Sequence, residues 1–220
     1  ATNVDPYGNK VMACSMPPNF HHSDKLPEFK AEGLANWAAQ FRLYDNFVNS
    51  FDQANDKRFS LIIENYVNAA GATVNLKSQS NNRRTLKFFD NKANGASHGN
   101  DFPLIRYADV LLMRAEALNE LNGPDSENIG LINLVRTRAG LPDLSDANFT
   151  KESLRDHILK ERAWEFYYEG HRRSDLIRHG KFISFAKARG VAHAADHHNR
   201  FPIPQGEMDT NPNMVQNKDY

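Results

Sequence analysis

One cysteine in 220 residues, Cys14, leaves this chain without an internal disulfide and without a thiolate zinc site. Val11-Met12-Ala13-Cys14 has the outline of a lipoprotein cleavage box, but polar residues stand where an apolar signal segment would have to precede it. Cys14 therefore reads as a plain thiol in a loop. No apolar run approaches the roughly 20 residues that cross a bilayer. The opening stretch ATNVDPYGNK has neither a basic n-region nor an apolar h-region, so the chain is expected to carry no export signal of its own. An excess of either charge is missing too. Lys plus Arg and Asp plus Glu number 27 each, which argues against a nucleic-acid surface, a polybasic membrane patch or an acidic tail.

Catalytic signatures are equally scarce. No glycine-rich phosphate loop precedes a helical pattern, no hydrolase nucleophile motif occurs, and His171-Arg172 followed by Asp175 does not match a kinase catalytic loop. His193, Asp196, His197 and His198 cluster, with His21 and His22 elsewhere, and His193 and His197 would share a helix face. However, no glutamate follows His193 and no third ligand is specified, so a solvated loop is the reading, with no metal or cofactor expected.

Apolar residues, 40% of the chain, are what is abundant, enough for the core of one large domain or two small ones. Residues 1–100 are rich in Asn, Gly, Ser and Pro and read as mostly irregular, with short apolar segments at Phe59 to Ile63 and Thr85 to Phe89. One helix is expected there, Asn36 to Phe51, because Trp37, Phe41, Tyr44, Val48 and Phe51 recur at helical spacing. Residues 103–189 look helical almost throughout. Leu104, Ala108, Leu111, Ala115 and Leu118 form one stripe with Val110, Met113, Ala117 and Leu121 beside it, predicting a helix buried over a broad face. Asn122-Gly123-Pro124-Asp125 ends it. Ser126 is the expected cap of a second helix that stops at Gly140, and Thr150 that of a third. The antiparallel pair has the length of one tetratricopeptide-type unit, and no second copy is present.

Ile158 to Lys181 concentrates aromatics, carboxylates and arginines on what reads as one interrupted helix. Glu161, Glu165 and Glu169 recur every fourth residue and so share a ridge. Such a row repels itself unless cations face it, and Arg162, Arg172, Arg173 and Arg178 are nearest in sequence, then Arg136 and Arg138. Acid and base carboxylates of a retaining glycosidase would stand about 5 Å apart. Those usually face each other from different elements, whereas these point the same way. Structural pairing is therefore preferred, through a network of Glu161, Arg162, Glu165, Glu169, Arg172, Asp175 and Arg178. Outside the helices, Phe20, Trp37, Tyr44, Tyr66, Phe88 and Phe89 are candidate platforms for sugar rings, although each also reads as a core ring. Trp37, Tyr44, Tyr66 and Phe88 are taken forward as candidate ligand-binding residues.

Asp101-Phe102-Pro103-Leu104-Ile105-Arg106-Tyr107-Ala108-Asp109 and the eleven residues after it resemble a hallmark segment of the SusD/RagB family of bacterial outer-membrane nutrient-binding proteins. In order, Asn133 to Leu141, Glu161 to Arg178, and Phe201-Pro202-Ile203-Pro204 through Gln216-Asn217 resemble the family's later motifs. Before residue 100 only Asp56-Lys57-Arg58-Phe59 and Lys87-Phe88-Phe89-Asp90 look like family segments. The tail departs from the family pattern in reading Gln216-Asn217-Lys218-Asp219-Tyr220. The resemblance implies a mainly α, SusD-like fold with one tetratricopeptide-like hairpin: a loop-rich, ligand-facing segment at 1–100 and a helical C-terminal region at 101–220. It implies non-catalytic glycan binding at the cell surface for delivery to a SusC-like, TonB-dependent outer-membrane transporter, with the membrane anchor outside this chain. A peptide-binding member of the family and a tetratricopeptide-type interaction scaffold are the alternatives.

Overall fold

The computed structural model describes residues 8–30, 40–93 and 95–220 of the protein. It forms two compact units, Ala1–Glu169 and Gly170–Tyr220, so the change of character near residue 100 falls inside the first. In the first unit, short elements come first: α1 (Val11–Ser15), β1 (Phe20–Ser23), α2 (Asp45–Val48), β2 (Ile62–Ile63), β3 (Asn65–Asn68), β4 (Thr73–Asn75) and β5 (Arg84–Thr85). Strands β1, β3 and β4 make one antiparallel sheet, and β2 pairs with β5 in another. Three long helices follow, α3 (Tyr107–Asn122), α4 (Ser126–Ala139) and α5 (Lys151–Phe166). The mainly α architecture agrees with the sequence reading.

Local chemistry accounts for the helix ends. Asp125, one residue before the expected cap, accepts from the Asn128 amide while the Asn128 side chain returns the bond to the Asp125 N–H. Gly140 closes α4 in the left-handed conformation at φ 83°. Thr150 caps α5 as anticipated, through the Ser153 N–H. The helices pack through Leu112, Ala115, Ile132, Leu154 and Ile158. A second core gathers Met12, Met16, Ile63, Tyr66 and Leu86 from the loop-rich part, and a third joins Val48, Phe51, Phe59 and Ile62 to Tyr167.

Four expectations change. Of the helix foreseen from Asn36 to Phe51, the described residues 40–51 form only Asp45–Val48, and its first four residues lie outside the described ones. Leu43 instead donates its N–H to the Arg83 carbonyl at 2.9 Å, which holds the approach to α2 extended. Second, α3 buries one side only. Leu111, Leu112 and Ala115 face α4 and α5, while Val110, Met113 and Leu121 on the opposite side are 46%, 46% and 78% exposed, and Leu104 precedes the helix. Third, Cys14 is buried within α1, where desolvation raises its thiol pKa. Fourth, α5 ends at Phe166, so Glu169 belongs to the turn after it and not to a continuous ridge.

The second unit holds α6 (Arg172–Arg178), α7 (Phe182–Ala188) and α8 (Gln205–Thr210). Between α7 and α8 a 3-10 turn at Asp196–Asn199 stacks His197 on His198, ring centres 3.9 Å apart. The Tyr220 hydroxyl donates to the Arg200 carbonyl at 2.8 Å, with the His197 carbonyl farther off at 3.3 Å. Among the described residues, no three His, Cys, Asp or Glu side chains converge as a metal would require. None of the described helices is long and apolar enough to cross a membrane.

Candidate functional site

Buried charge in the first unit converges on three carboxylates. Glu161 and Glu165, a turn apart on α5, and Glu169 just beyond it are 0%, 3% and 4% exposed. Unpaired, each would cost several kcal/mol. Arg58 enters from the 3-10 turn Lys57–Leu61 and places Nη1 2.8 Å from Glu161 Oε1 and 3.2 Å from Glu165 Oε2. Its other nitrogens are held by Asp56, which also caps the turn by accepting the Arg58 N–H. Arg106, immediately before α3, grips Glu169 with Nε and Nη2 at 2.7 and 2.8 Å and reaches Glu165 Oε1 at 2.9 Å. Arg138 and Arg136 complete Glu165 and Glu161 at 2.5 and 3.2 Å. Lys87 pairs with Glu169 and donates to the carbonyls of Glu165 and Tyr167 at 2.8 and 3.0 Å.

Protonation follows from these contacts. Burial alone would push the Glu169 carboxyl up, but hydrogen bonds from Arg106 and the charge of Lys87 hold it below the usual carboxylate range. Burial lowers the Lys87 ammonium, and Glu169 restores it only in part. Burial would also lower the Arg58 guanidinium, yet Asp56 and Glu161 reverse that and raise it. Each oxygen of the three carboxylates already faces a cation, leaving none to attack a sugar or relay a proton. The arrangement fastens α5 to the ends of α3 and α4 and to two loop segments.

Sequence reasoning located the acids and two of their five bases, Arg136 and Arg138. Arg162 turns away to Asp109 at 2.6 Å. Arg172, Asp175 and Arg178 lie in the second unit, where Arg178 meets Asp175 at 3.0 Å and Arg172 covers the Phe185 ring. Arg58, Lys87 and Arg106 were missed as partners. A signal for them existed, since Arg58 and Lys87 stand in the two short segments before residue 100 that look family-like, and Arg106 in the hallmark segment.

The candidate ligand-facing aromatics separate clearly. Trp37 lies outside the described residues. Tyr66 is buried at 4% exposure, its hydroxyl donating to the Pro18 carbonyl, and Phe20 is buried against it, so neither offers a ring face to solvent. Tyr44 is 44% exposed at the start of α2, as is Phe41 three residues before it. Phe88 is half-buried with φ 69°, a left-handed backbone rare for a bulky side chain. The Asn100 amide donates to the Phe88 and Phe89 carbonyls at 2.8 and 3.2 Å, and Lys87 is pinned as described, so the surroundings hold this strained residue. Its ring lies 5.8 Å from that of Phe102, which is 37% exposed.

Known proteins resemble this chain in sequence and in fold. The profile of the SusD family matches residues 37–220. The starch-binding protein SusD of Bacteroides thetaiotaomicron is 35% identical over 127 residues, an alignment covering 54% of this chain and 22% of that protein. Among solved structures, a laminarin-binding SusD-like protein superimposes with a TM-score of 0.72 at 26% identity, over 97% of this chain and 44% of its own. The surface glycan-binding protein A from Bacteroides uniformis does so with a TM-score of 0.65 at 26% identity, over 96% and 47%. The chain thus spans about half the length of these solved relatives and less of the curated one.

Proposed function

Because this chain belongs to the SusD family, we propose that it binds glycans at the bacterial cell surface, without catalysis, for delivery to a SusC-like, TonB-dependent transporter in the outer membrane. The observation that carries this reading is the presentation of Phe88. Its strained backbone is braced by Asn100 and Lys87 while the residue stays partly exposed beside Phe102. Rigid, partly exposed aromatic faces are what the apolar C–H face of a pyranose stacks on. Tyr44 supplies a second such ring. The relatives named for starch, laminarin and surface glycans support the ligand class. Saturation of Glu161 and Glu165 by arginines supports binding without hydrolysis.

Affinity electrophoresis or calorimetry against a polysaccharide panel including laminarin and starch tests this directly. Phe88→Ala and Tyr44→Ala are expected to weaken binding with the fold intact. Failure of every glycan to bind, while the transporter still does, would sink the glycan reading. One observation favours a tetratricopeptide-type scaffold as the second reading: the exposed apolar row Val110, Met113 and Leu121 on α3 offers a face to another protein. In that case charged substitutions on the row abolish partner binding and the aromatic variants leave it unchanged.

A further inference from the structure

Four arginines are buried among the described residues, and three of them meet a carboxylate: Arg58 meets Glu161, Arg136 the same glutamate, and Arg162 meets Asp109. Arg84 is the exception. At 2% exposure its guanidinium donates only to the Asn82 carbonyl, its Nε has no partner, and no described carboxylate pairs with it. Burial depresses the Arg84 pKa, and the positive charge of Arg42 adds to that. An unpaired buried guanidinium costs several kcal/mol, a cost that a bound anion would offset.

A second polar group is left open at the same place. The Tyr168 hydroxyl is buried without a hydrogen-bond partner, and burial raises its pKa, so it stays a neutral donor. The ladder explains the meeting: Leu43 pairs with Arg83, and Thr85 lies 3.3 Å from the Tyr167 hydroxyl, so the 41–43, 83–85 and 167–168 segments converge. Phe41 rests its ring edge-on against Tyr168, 5.8 Å between centres, and is otherwise half in solvent. Arg42 therefore stands between two exposed aromatic residues, Phe41 and Tyr44.

We propose that Arg84, Arg42 and the Tyr168 hydroxyl form the receptor for an oxyanion borne by the glycan, so that the chain selects acidic over neutral sugars. The shared chemistry is a planar or tetrahedral oxyanion accepting from a guanidinium fork and a phenol, whether a uronate carboxylate or a sulfate ester. Phe41 swings off Tyr168 to admit it and stacks on the sugar ring. This rests on the glycan-binding reading and adds the charge of the ligand.

The test is thermal stabilisation of the chain, at constant ionic strength, by galacturonate, galactose 6-sulfate, neutral galactose and inorganic sulfate, alongside affinities for acidic and neutral polysaccharides. A shift with one or both charged sugars, exceeding those with galactose and inorganic sulfate, is expected, and which sugar works names the oxyanion. Arg84→Met, which breaks no ion pair, is expected to abolish the shift and lower affinity for the acidic polysaccharide at least tenfold. Arg42→Ala at the exposed position, and Tyr168→Phe, are expected to weaken both several-fold, which keeps the proposal open to refutation if Arg84→Met does not fold. Binding of neutral glycans with no response to charged sugars overturns this inference and leaves the glycan reading standing. Equal stabilisation by inorganic sulfate, or a response that survives in the variants, also overturns it. If no polysaccharide binds, the glycan reading fails, and this inference with it.

Discussion

Arg58 and Glu161 are separated by 103 positions, yet Arg58 Nη1 lies 2.8 Å from Glu161 Oε1 while also reaching Glu165. One guanidinium thereby keeps apart two carboxylates that would repel each other on adjacent turns of α5. Removing it leaves both buried with fewer counter-charges. Arg58→Met is expected to destabilise the chain by about 3–5 kcal/mol, measured by urea unfolding. Adding Glu161→Leu is expected to recover part of that loss. A single variant as stable as the parent would show that the pairing contributes nothing.

Acid should weaken the fold through His157. Burial, with Arg136 and Lys160 nearby, lowers its pKa from 6.5 to about 4. Glu161, 3.9 Å away, is already held by Arg58 and Arg136 and does not keep a proton on the ring. The unfolded chain takes up the proton first, so this contribution is fully present above pH 6.5 and is lost as pH falls toward 4. Its size is up to about 3 kcal/mol. A His157→Phe variant is expected to show a flatter stability profile across that window, read from unfolding midpoints at each pH.

Two glycines of α4 and its cap should respond oppositely to alanine. Gly140 has φ 83°, and an added Cβ would meet the Asn55 carbonyl oxygen and Lys57 at 3.1 Å. Gly140→Ala should cost about 1–3 kcal/mol. Gly130, inside the helix and exposed, has open space around it, and Gly130→Ala should stabilise by up to about 1 kcal/mol. Thermal midpoints moving in the same direction would contradict this.

Leu112 and Leu121 share α3 but differ from 0% to 78% exposure. Leu112→Ala is expected to cost about 2–5 kcal/mol. Leu121→Ala should change stability by less than about 0.5 kcal/mol. Denaturant midpoints for both variants compare the two faces directly.

Much of what is decided within one or two helical turns was legible in the residues. The antiparallel pair, the left-handed Gly140 and the Thr150 cap rest on short-range spacing and on side chains that reach their own backbone. Burial of Glu161 and Glu165 was legible too, because apolar residues surround them on α5. Where periodicity misled, a distant partner overrode it. Phe41, Tyr44, Val48 and Phe51 have helical spacing, but the Leu43 amide bonds the Arg83 carbonyl, forty residues on, and the approach to α2 stays extended.

The sequence by itself therefore determined the family, the long helices and the need for buried acids to be paired. Tertiary structure alone decided which bases pair with them, which face of α3 is left bare, that Tyr66 is core while Tyr44 is open, and that no described acid meets Arg84. The reason is physical. Helical pattern and capping are interactions between near neighbours, whereas charge pairing and exposure depend on which remote segments the packed chain brings within a few ångströms.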